Sequence, residues 1–525
     1  MKVLILDNLQ EVAIDVFHKN SIQVDVKGKM ESEDLAKIID DYDGVVLRGA
    51  TRINQDVVKN TLRLKIIGRA GSGTDNIDTN IATRKGIVVM NTPGGNTITT
   101  GEHAIALMLA LARKVPQATA SMKDGKWEKN SFIGTELTGK VLGIIGLGNV
   151  GKAVAERGLG LKMKVLGYDP YVHEEDVIKL GIQLVKLDEI YNKSDFITYH
   201  TPLTPETKGM INAEAINKMK KGAFIINCAR GGLVNEDDLL KALNSGQLSG
   251  VALDVYEVEP PPKNSPLLNH ANVILTPHLG ASTMEAQEKV AILIAEQISD
   301  FLNKGIIRNS INFPSISSDL LSILKPYLDL CEKLGSFVGQ LLEGPLKELQ
   351  VEYLGEASKL EIAPLTISVI KGFLKHQTED VNLVNARIVA EERGIKVTET
   401  RGLKAGNFAS MIRVTAYYQN IQKSVSGALF GKLMKILEVN HFPIEADLIG
   451  GILMLENQDV PGVVGNVGRL LGEKEINIAG YQLGRNEPGG TAISLINVDN
   501  YISEGTLIQL SRLPNVTSAK FITVN

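Results

Sequence analysis

Short apolar runs rich in β-branched residues alternate with helical patterns from the first residues of the chain onward. Five such runs precede a long apolar helix expected at about 98–122, and six follow it. Because buried parallel strands are joined by helices, this alternation predicts two doubly wound α/β sheets. The first series lies at 3–6, 22–26, 45–48, 64–67 and 88–91, and the second at 141–145, 164–168, 196–199, 224–227, 251–254 and 273–276.

The motif GLGNVG at 146–151 directly follows one of these strands and opens a helix expected from Lys152 to about Gly160. In that context Gly146 permits a tight turn, Gly148 lets a pyrophosphate approach the backbone, and Gly151 lets the helix pack closely on the strand. The helix N-terminus adds N–H donors and a favourable dipole. The motif alone would be weak evidence, but its position predicts a dinucleotide site.

Asp169 ends the next expected strand and follows Gly151 by about 18 residues, close to the roughly 20 expected. Its carboxylate can accept hydrogen bonds from the ribose hydroxyls of NAD and would repel the extra phosphate of NADP. The alternative is a turn or helix-capping aspartate before Pro170.

Arg230, Glu259 and His278 each lie at or just beyond the carboxyl end of a strand of the second series. Ligands of open α/β sheets bind at this edge. Removing a hydride from a hydroxy acid needs a base that titrates near neutral pH, a carboxylate that orients it, and a forked cation for the substrate carboxylate. A single strand-end histidine is more often structural, but the three residues together predict this chemistry.

An anionic substrate is also indicated by the first series of strands. The segment RAGSGTD at 69–75 offers backbone N–H groups around two glycines, a plausible nest for a carboxylate. Arg48, Arg52 and Arg69 cluster at two strand ends. Each alone could be a solvated surface arginine, but together they predict a substrate with a phosphate as well as a carboxylate.

The second half of the chain has a different organisation. A helix expected at 284–304 should return to the first sheet, so the N-terminal domain would consist of two segments. Residues 315–449 are mixed α/β and show no catalytic constellation. Residues 450–525 follow the order strand, helix, strand, strand, helix, strand, which is the ferredoxin-like arrangement.

Composition excludes several classes of protein. The chain has 56 Lys and Arg against 60 Asp and Glu, a formal charge of −4, which excludes a globally basic nucleic-acid-coating protein. Two cysteines are too few for a disulfide framework. The longest apolar run, 104–112, is too short to span a bilayer, and the N-terminus reads as a strand rather than a signal peptide. We expect a cytoplasmic protein of three or four domains, with no membrane, nucleic-acid or metal partner.

These motifs, in this order, resemble those of the D-isomer-specific 2-hydroxyacid dehydrogenases over about residues 1–314, and within that family the long-form members that act on 3-phosphoglycerate. The resemblance rests on residues 69–78, 91–93 through 102–103, 146–151, 200–204, 227–232, 254–260 and 276–280. It implies a Rossmann-type NAD-binding domain at 98–284, a flavodoxin-like substrate-binding domain from 1–97 and 285–314, an α+β intervening domain at 315–449 and a ferredoxin-like ACT domain at 450–525.

The resemblance also implies roles for individual residues. Arg230, Glu259 and His278 would be catalytic, and the cleft would close over the ligand. The cofactor NAD would be contacted by Ser72, Gly146, Gly148, Asn149, Val150, Gly151, Asp169, Thr201, Cys228, Asp254 and Ala281. The substrate would be bound by Arg48, Arg69, Ser72, Gly73 and Asn96.

For the C-terminal half, the resemblance implies regulation. Asp459 and Asn477 would bind L-serine across an interface between paired ACT domains, although Asn457 stands at a position that varies in the family. An anionic effector would bind the intervening domain near Arg401, Lys404 or Arg413. The chain would form a homo-oligomer, a dimer or tetramer. The alternative for the ACT domain is an oligomerisation module without a ligand.

The expected activity is the NAD-dependent oxidation of 3-phospho-D-glycerate to 3-phosphohydroxypyruvate, the first step of L-serine biosynthesis, with feedback by serine. One alternative is a glyoxylate or hydroxypyruvate reductase, or another D-2-hydroxyacid dehydrogenase, on the same core. Another is an NAD-sensing protein similar to the C-terminal-binding corepressors, which share the core and its Arg–Glu–His set. The serine-type tail argues against both alternatives.

Overall fold

The computed structural model describes residues 1–314, 318–342, 344–378 and 380–524. This part of the chain contains four β-sheets, two of them wholly parallel. Among the described residues, no helix is both long and apolar enough to cross a membrane.

The first sheet is parallel, with the order β2-β1-β3-β4-β5. This is the flavodoxin-like order, and the central strands are buried because helices cover both faces. The strands are β1 (Lys2–Ile5), β2 (Gln23–Val26), β3 (Gly44–Leu47), β4 (Ile66–Arg69) and β5 (Val88–Asn91), with helices α1 (Val12–Lys19), α2 (Ser32–Ile38), α3 (Gln55–Val58) and α4 (Thr79–Arg84).

The second sheet is parallel, with the order β12-β11-β10-β9-β6-β7-β8, so the strand order reverses between β6 and β9 as in dinucleotide-binding folds. Its strands are β6 (Val141–Ile145), β7 (Lys164–Tyr168), β8 (Gln183–Leu184), β9 (Phe196–Tyr199), β10 (Ala223–Asn227), β11 (Leu248–Leu253) and β12 (Val273–Leu275). Its helices and the helices that link the two sheets are α5 (Thr97–Arg113), α6 (Val115–Lys123), α7 (Asn149–Gly160), α8 (Glu174–Val177), α9 (Leu187–Lys193), α10 (Ala213–Lys218), α11 (Glu236–Asn244) and α12 (Met284–Lys304).

Three details differ from the sequence-based expectation. Seven strands form the second sheet rather than six, because the two-residue β8 is too short to show a pattern. The helix of the glycine loop begins at Asn149 rather than Lys152. The single helix expected at 98–122 is wrong: the chain breaks at Lys114, whose φ is +53°, because Pro116 has no N–H to continue the ladder. The carbonyl of Ala112 accepts instead from the Thr135 N–H at 2.8 Å.

The helix α12 returns to the first sheet, as expected. Its buried residues Val290, Ala291, Ile294, Ala295 and Ile298 share one hydrophobic core with Val3, Ile66 and Val88. The first sheet is therefore covered on one face by a helix that follows the second sheet in sequence.

The third sheet is mixed, and the fourth is antiparallel. The third has the order β14-β13-β15-β16-β17-β18, and the fourth has the order β20-β21-β19-β22. The third unit comprises α13 (Ser318–Leu341), β13 (Glu348–Gly355), α14 (Ile362–Leu374), α15 (Ala386–Glu392), β14 (Lys396–Gly402), β15 (Ser410–Tyr418), β16 (Ile421–Phe430), β17 (Leu433–Val439) and β18 (Phe442–Asp447). The fourth comprises β19 (Gly450–Gln458), α16 (Val463–Glu473), β20 (Ile478–Arg485), β21 (Thr491–Val498), α17 (Glu504–Ser511) and β22 (Val516–Val524).

The observed element types and sheet orders confirm the predicted fold class: two parallel α/β units followed by an α+β unit and a βαββαβ unit. The domain boundaries given above stay a prediction.

Candidate active site

A cavity of about 210 Å³ lies between the carboxyl ends of the two parallel sheets. The first sheet contributes the loop after β4 and the start of α5, and the second contributes the loops after β9, β10 and β12. The predicted site residues that line this cavity are Ser72, Asn96, Val150, Thr201, Cys228, Arg230, His278 and Ala281. The fold therefore brings together residues that are far apart in the sequence.

His278 and Glu259 form a hydrogen-bonded pair at this cavity, with Nδ1 of His278 2.9 Å from Oε2 of Glu259. The other oxygen, Oε1, accepts from the Tyr256 N–H at 3.2 Å. Because a carboxylate can only accept, Nδ1 carries the hydrogen, and Nε2 is the nitrogen that can take a proton from a substrate. The loops after β11 and β12 thus bring the predicted base into contact with the predicted orienting acid.

The pair perturbs both of its members. The hydrogen bond that His278 donates to Glu259 raises the pKa of His278 above its ordinary value, against the opposing effect of burial. Burial opposes ionisation of Glu259, yet the hydrogen bond and the charge of His278 together bring the pKa of Glu259 below its ordinary value. The imidazolium form that follows proton abstraction is therefore stabilised.

Asp254 fixes the backbone next to His278. Its fully buried carboxylate accepts from the N–H groups of Leu279 at 2.7 Å and Gly280 at 2.8 Å, and from the Thr276 hydroxyl at 2.6 Å. His103 of α5 places Nε2 3.1 Å from the same carboxylate. Burial opposes ionisation of Asp254, but the bonds from His103 and Thr276 bring its pKa below the ordinary value. This geometry makes Asp254 a positioning residue, and its direct contact with NAD stays a prediction.

The glycine loop has the close approaches that the sequence predicts. Gly146 has a φ of +94°, in the region that favours glycine. A Cβ on Gly151 would lie 1.9 Å from the carbonyl oxygen of Gly146, whereas a Cβ on Gly148 would meet nothing within 4 Å. The first and third glycines are thus required by packing, and the second leaves open space in front of the N-terminus of α7.

A larger cavity, of about 520 Å³, adjoins this loop and is lined by Gly146, Gly148, Asp169 and Thr201. Each oxygen of Asp169 accepts one backbone N–H, from Leu147 and from Tyr171, both at 2.9 Å. Carboxylate oxygens have further lone pairs, so Asp169 can still accept from ribose hydroxyls.

Two further groups suit an extended, polar ligand in this cavity. The Thr201 hydroxyl is buried and has no hydrogen-bond partner among the described residues. Burial lowers the pKa of His200 to about 4, so that ring stays neutral at physiological pH. The cavity, the open glycine loop and the unpaired hydroxyl fit a dinucleotide such as NAD.

The arginines predicted to bind an anion are grouped around Arg69. Arg69 is held by its own loop, with Nη1 donating to the Ala70 carbonyl at 2.5 Å. Burial, together with the charges of Arg48 and Arg230, lowers the pKa of Arg69 to about 10. Ser72 donates to Oδ1 of Asn96 at 2.7 Å. Cationic groups held this close together favour the binding of an anion.

The two residues predicted to bind L-serine, Asp459 and Asn477, do not lie close together within one chain. Asp459 accepts from Arg485 Nη1 at 2.6 Å and from the Gly489 N–H at 3.2 Å, next to the start of β21. Asn477 donates to Asp499 at 2.6 Å, next to the end of β21. Because β21 is an extended strand, Asp459 and Asn477 lie at opposite ends of the sheet.

Arg413, one of the three candidates for the anionic effector, already has partners within the chain. Arg413 lies between Glu352 at 3.5 Å and Glu438 at 3.3 Å and donates to the Ser426 hydroxyl. Its charge is therefore compensated inside the sheet. Arg401 donates to the Ser358 carbonyl at 2.7 Å.

Two residues of the site received no role from the sequence. His103 and Asp75 both lie in the motifs on which the family resemblance rests. Their partners, Asp254 and Arg230, are about 150 residues away in the sequence, so only the fold reveals these two pairs. Across the residues that the structure describes, no group of three or more His, Cys, Asp or Glu side chains could hold a metal ion.

Comparison with known proteins agrees with this geometry. Residues 105–280 match the D-isomer specific 2-hydroxyacid dehydrogenase NAD binding domain, and residues 323–440 match the D-3-phosphoglycerate dehydrogenase intervening domain. The chain is 43% identical to D-3-phosphoglycerate dehydrogenase of Synechocystis over 99% of its length and 94% of that protein's, and 41% identical to the Archaeoglobus fulgidus enzyme over 99% and 100%.

Solved structures agree as well. D-lactate dehydrogenase of Aquifex aeolicus, complexed with NAD and lactic acid, is 28% identical, with a TM-score of 0.53, and the match covers 60% of this chain and 100% of that one. These findings confirm the resemblance and confirm NAD as the cofactor. The chain belongs to the D-3-phosphoglycerate dehydrogenases, a family of NAD-dependent D-isomer-specific 2-hydroxyacid dehydrogenases.

Proposed function

We propose that the enzyme oxidises 3-phospho-D-glycerate to 3-phosphohydroxypyruvate, the first step of L-serine biosynthesis. The observation that carries this proposal is a group of arginines at the site: Arg230 lines the cavity together with His278, and the charges of Arg48 and Arg230 both act on Arg69. A substrate with a carboxylate and a phosphate carries enough negative charge to balance several arginines. Smaller hydroxy acids carry only one such charge.

The chain's own residues divide the chemistry among them. Nε2 of His278 accepts the hydroxyl proton, and Glu259 stabilises the imidazolium that results. Arg230 holds the substrate carboxylate and polarises the oxygen at the reacting carbon. NAD supplies the acceptor for the hydride. The His278 side chain is 53% exposed, so the proton can pass from it to solvent.

A steady-state comparison of substrates tests this proposal. We expect kcat/KM to be highest for 3-phospho-D-glycerate, with D-glycerate as the matched substrate that lacks only the phosphate. Arg48→Gln should lower kcat/KM about tenfold for the phosphorylated substrate and much less for D-glycerate, since a charge-assisted hydrogen bond contributes about 1.5–3 kcal/mol. Arg469→Gln is the control, because Arg469 lies in α16, outside the cleft, and is 72% exposed. Equal kcat/KM values for both substrates would instead favour the reductase alternative.

We also propose that L-serine binds between the ACT domains of two copies of the chain. A single copy holds Asp459 and Asn477 at opposite ends of β21, so a site using both needs a second copy. Addition of L-serine in the same assay should lower activity, and Asn477→Ala should relieve that inhibition. If serine has no effect on the wild-type enzyme, the unit would be an oligomerisation module.

A homo-oligomer, either a dimer or a tetramer, is part of the same proposal. Trp127 and Ile133, in the segment after α6, are 82% and 76% exposed, and Val115 and Met122 of α6 are also exposed. Large apolar side chains grouped in this way favour an interface with a second copy. Sedimentation of the purified enzyme measures the oligomeric state directly.

We place the enzyme in the cytoplasm, where free thiols persist, since Cys228 and Cys331 are both free.

A further inference from the structure

One ion pair crosses the active-site cleft. Asp75 lies in the loop between β4 and α4 of the first sheet, and Arg230 lies just after β10 of the second. Oδ2 of Asp75 is 3.1 Å from Nε of Arg230. This ion pair links Arg230 to the opposite wall of the cleft through a residue for which no role was predicted.

The contacts of Arg230 define the direction of its guanidinium. Nε faces Asp75, and Nη1 donates to the Ala229 carbonyl at 2.7 Å. Nη2 lies against Gly73, where a Cβ would be 2.4 Å from Nη2 and 3.0 Å from Oδ2 of Asp75. Nε is thus paired with Asp75 and Nη1 is bonded to the Ala229 carbonyl, in a side chain that lines the cavity.

The electrostatic setting gives Asp75 a second effect. Arg48, Arg69 and Arg230 repel one another, which contributes to the lowered pKa of Arg69, and the charge of Asp75 acts in the opposite direction. A carboxylate at this place keeps Arg230 near the other arginines before substrate arrives. The ion pair engages Nε, and Nη1 uses one of its two hydrogens on the Ala229 carbonyl, so Nη1 and Nη2 each keep a hydrogen for a substrate carboxylate.

We propose that Asp75 is a positioning residue for Arg230. The ion pair between them makes the direction of the Arg230 guanidinium depend on contact between the two walls of the cleft. The proposal rests on the role given to Arg230 under the proposed function. Reaction rates are sensitive to small displacements of positioning groups, of the order of 100-fold for about 1 Å. An exposed ion pair adds little to stability, so its effect should be seen in turnover rather than in unfolding.

The test compares Asp75→Ala and Asp75→Asn with the wild-type enzyme. Asp75→Ala removes the ion-pair partner, so kcat/KM for the hydroxy acid should fall at least tenfold while NADH affinity and the melting temperature stay within error. The amide oxygen of Asn has the same reach towards Nε but no charge, so Asp75→Asn should keep part of the activity and exceed Asp75→Ala. Asp56→Ala is the control, because Asp56 is 72% exposed against 73% for Asp75 and pairs with Lys59 away from the cleft.

Three results would overturn the proposal. The first is a kcat/KM of Asp75→Ala equal to that of the wild type. The second is an equal loss of kcat/KM in Asp75→Asn and Asp75→Ala. The third is a loss of kcat/KM in Asp75→Ala that is accompanied by a matching fall in melting temperature. The wild-type enzyme is measured first on the substrate panel above. If the wild-type enzyme does not oxidise 3-phospho-D-glycerate, that result counts against the proposed substrate alone. The kcat/KM of each variant is then compared with that of the wild type on the hydroxy acid that the enzyme does oxidise.

Discussion

Replacing Glu259 with Gln separates the orienting role of this residue from its charge. The amide oxygen can still accept from Nδ1 of His278, but it no longer stabilises the imidazolium. A charge-assisted hydrogen bond contributes about 1.5–3 kcal/mol. Because His278 and Glu259 are 53% and 39% exposed, water screens the pair, and we take about 1.4–2 kcal/mol, or roughly 10- to 30-fold in kcat.

The pH profile gives the sign of the effect. With His278 as the proposed base, oxidation needs its neutral form, so the rate rises with pH as that group loses its proton, and the hydrogen bond to Glu259 moves this rise to higher pH than an ordinary histidine would give. In Glu259→Gln the rise should move to lower pH while the plateau falls. The assay is the initial rate of NADH formation across pH, with Glu257→Gln, a carboxylate bonded to a backbone N–H in the same loop, as control. A lowered plateau with an unmoved rise would refute the assigned role of the Glu259 charge.

Two further predictions concern the cofactor site. Asp169→Ala should weaken NADH binding about tenfold, because one charge-assisted hydrogen bond is lost, and it should narrow the preference for NAD over NADP. Fluorescence titration with NADH and NADPH measures both effects. An unchanged ratio of the two affinities would place ribose recognition elsewhere. Gly151→Ala should abolish NADH binding and lower stability by about 1–3 kcal/mol, because its Cβ would meet the Gly146 carbonyl at 1.9 Å. Gly160→Ala in the same helix, where a Cβ meets nothing within 4 Å, should leave binding and melting temperature intact.

The parallel sheets could be predicted because their local pattern and tertiary environment agree. Strands buried on both faces must be apolar throughout, and the runs at 88–91, 141–145, 164–168 and 196–199 match the observed strands. The glycine loop was also predictable, because the short contact between Gly146 and Gly151 joins residues that are only five positions apart in the sequence. The break at Lys114 was not expected, because the apolar pattern continues across it and only Pro116 signals the change.

The polar part of the site was predictable by residue type but not by partner. A strand-end rule brings Arg230, Glu259 and His278 to one edge without stating which atoms meet. The partner of Arg230 comes from the other sheet, and no periodicity relates the two. The same limit explains Arg413, where a cation expected to bind an effector is instead compensated by two glutamates on neighbouring strands.

The chain crosses between the two parallel sheets at two places, before α5 and before α12, and these crossings are bonded to each other. Thr99 and Thr283 have their hydroxyls 3.2 Å apart, and the Thr100 hydroxyl donates to the Gly280 carbonyl at 2.8 Å. We expect the sheets to rotate about these two crossings when the cleft closes. His278, two residues before Gly280, would then lie close to the axis, and displacement in a rotation grows with distance from its axis. Opening of the cleft should thus move the base little and separate Asp75 from Arg230 more, so the arginine is the group whose geometry depends on closure.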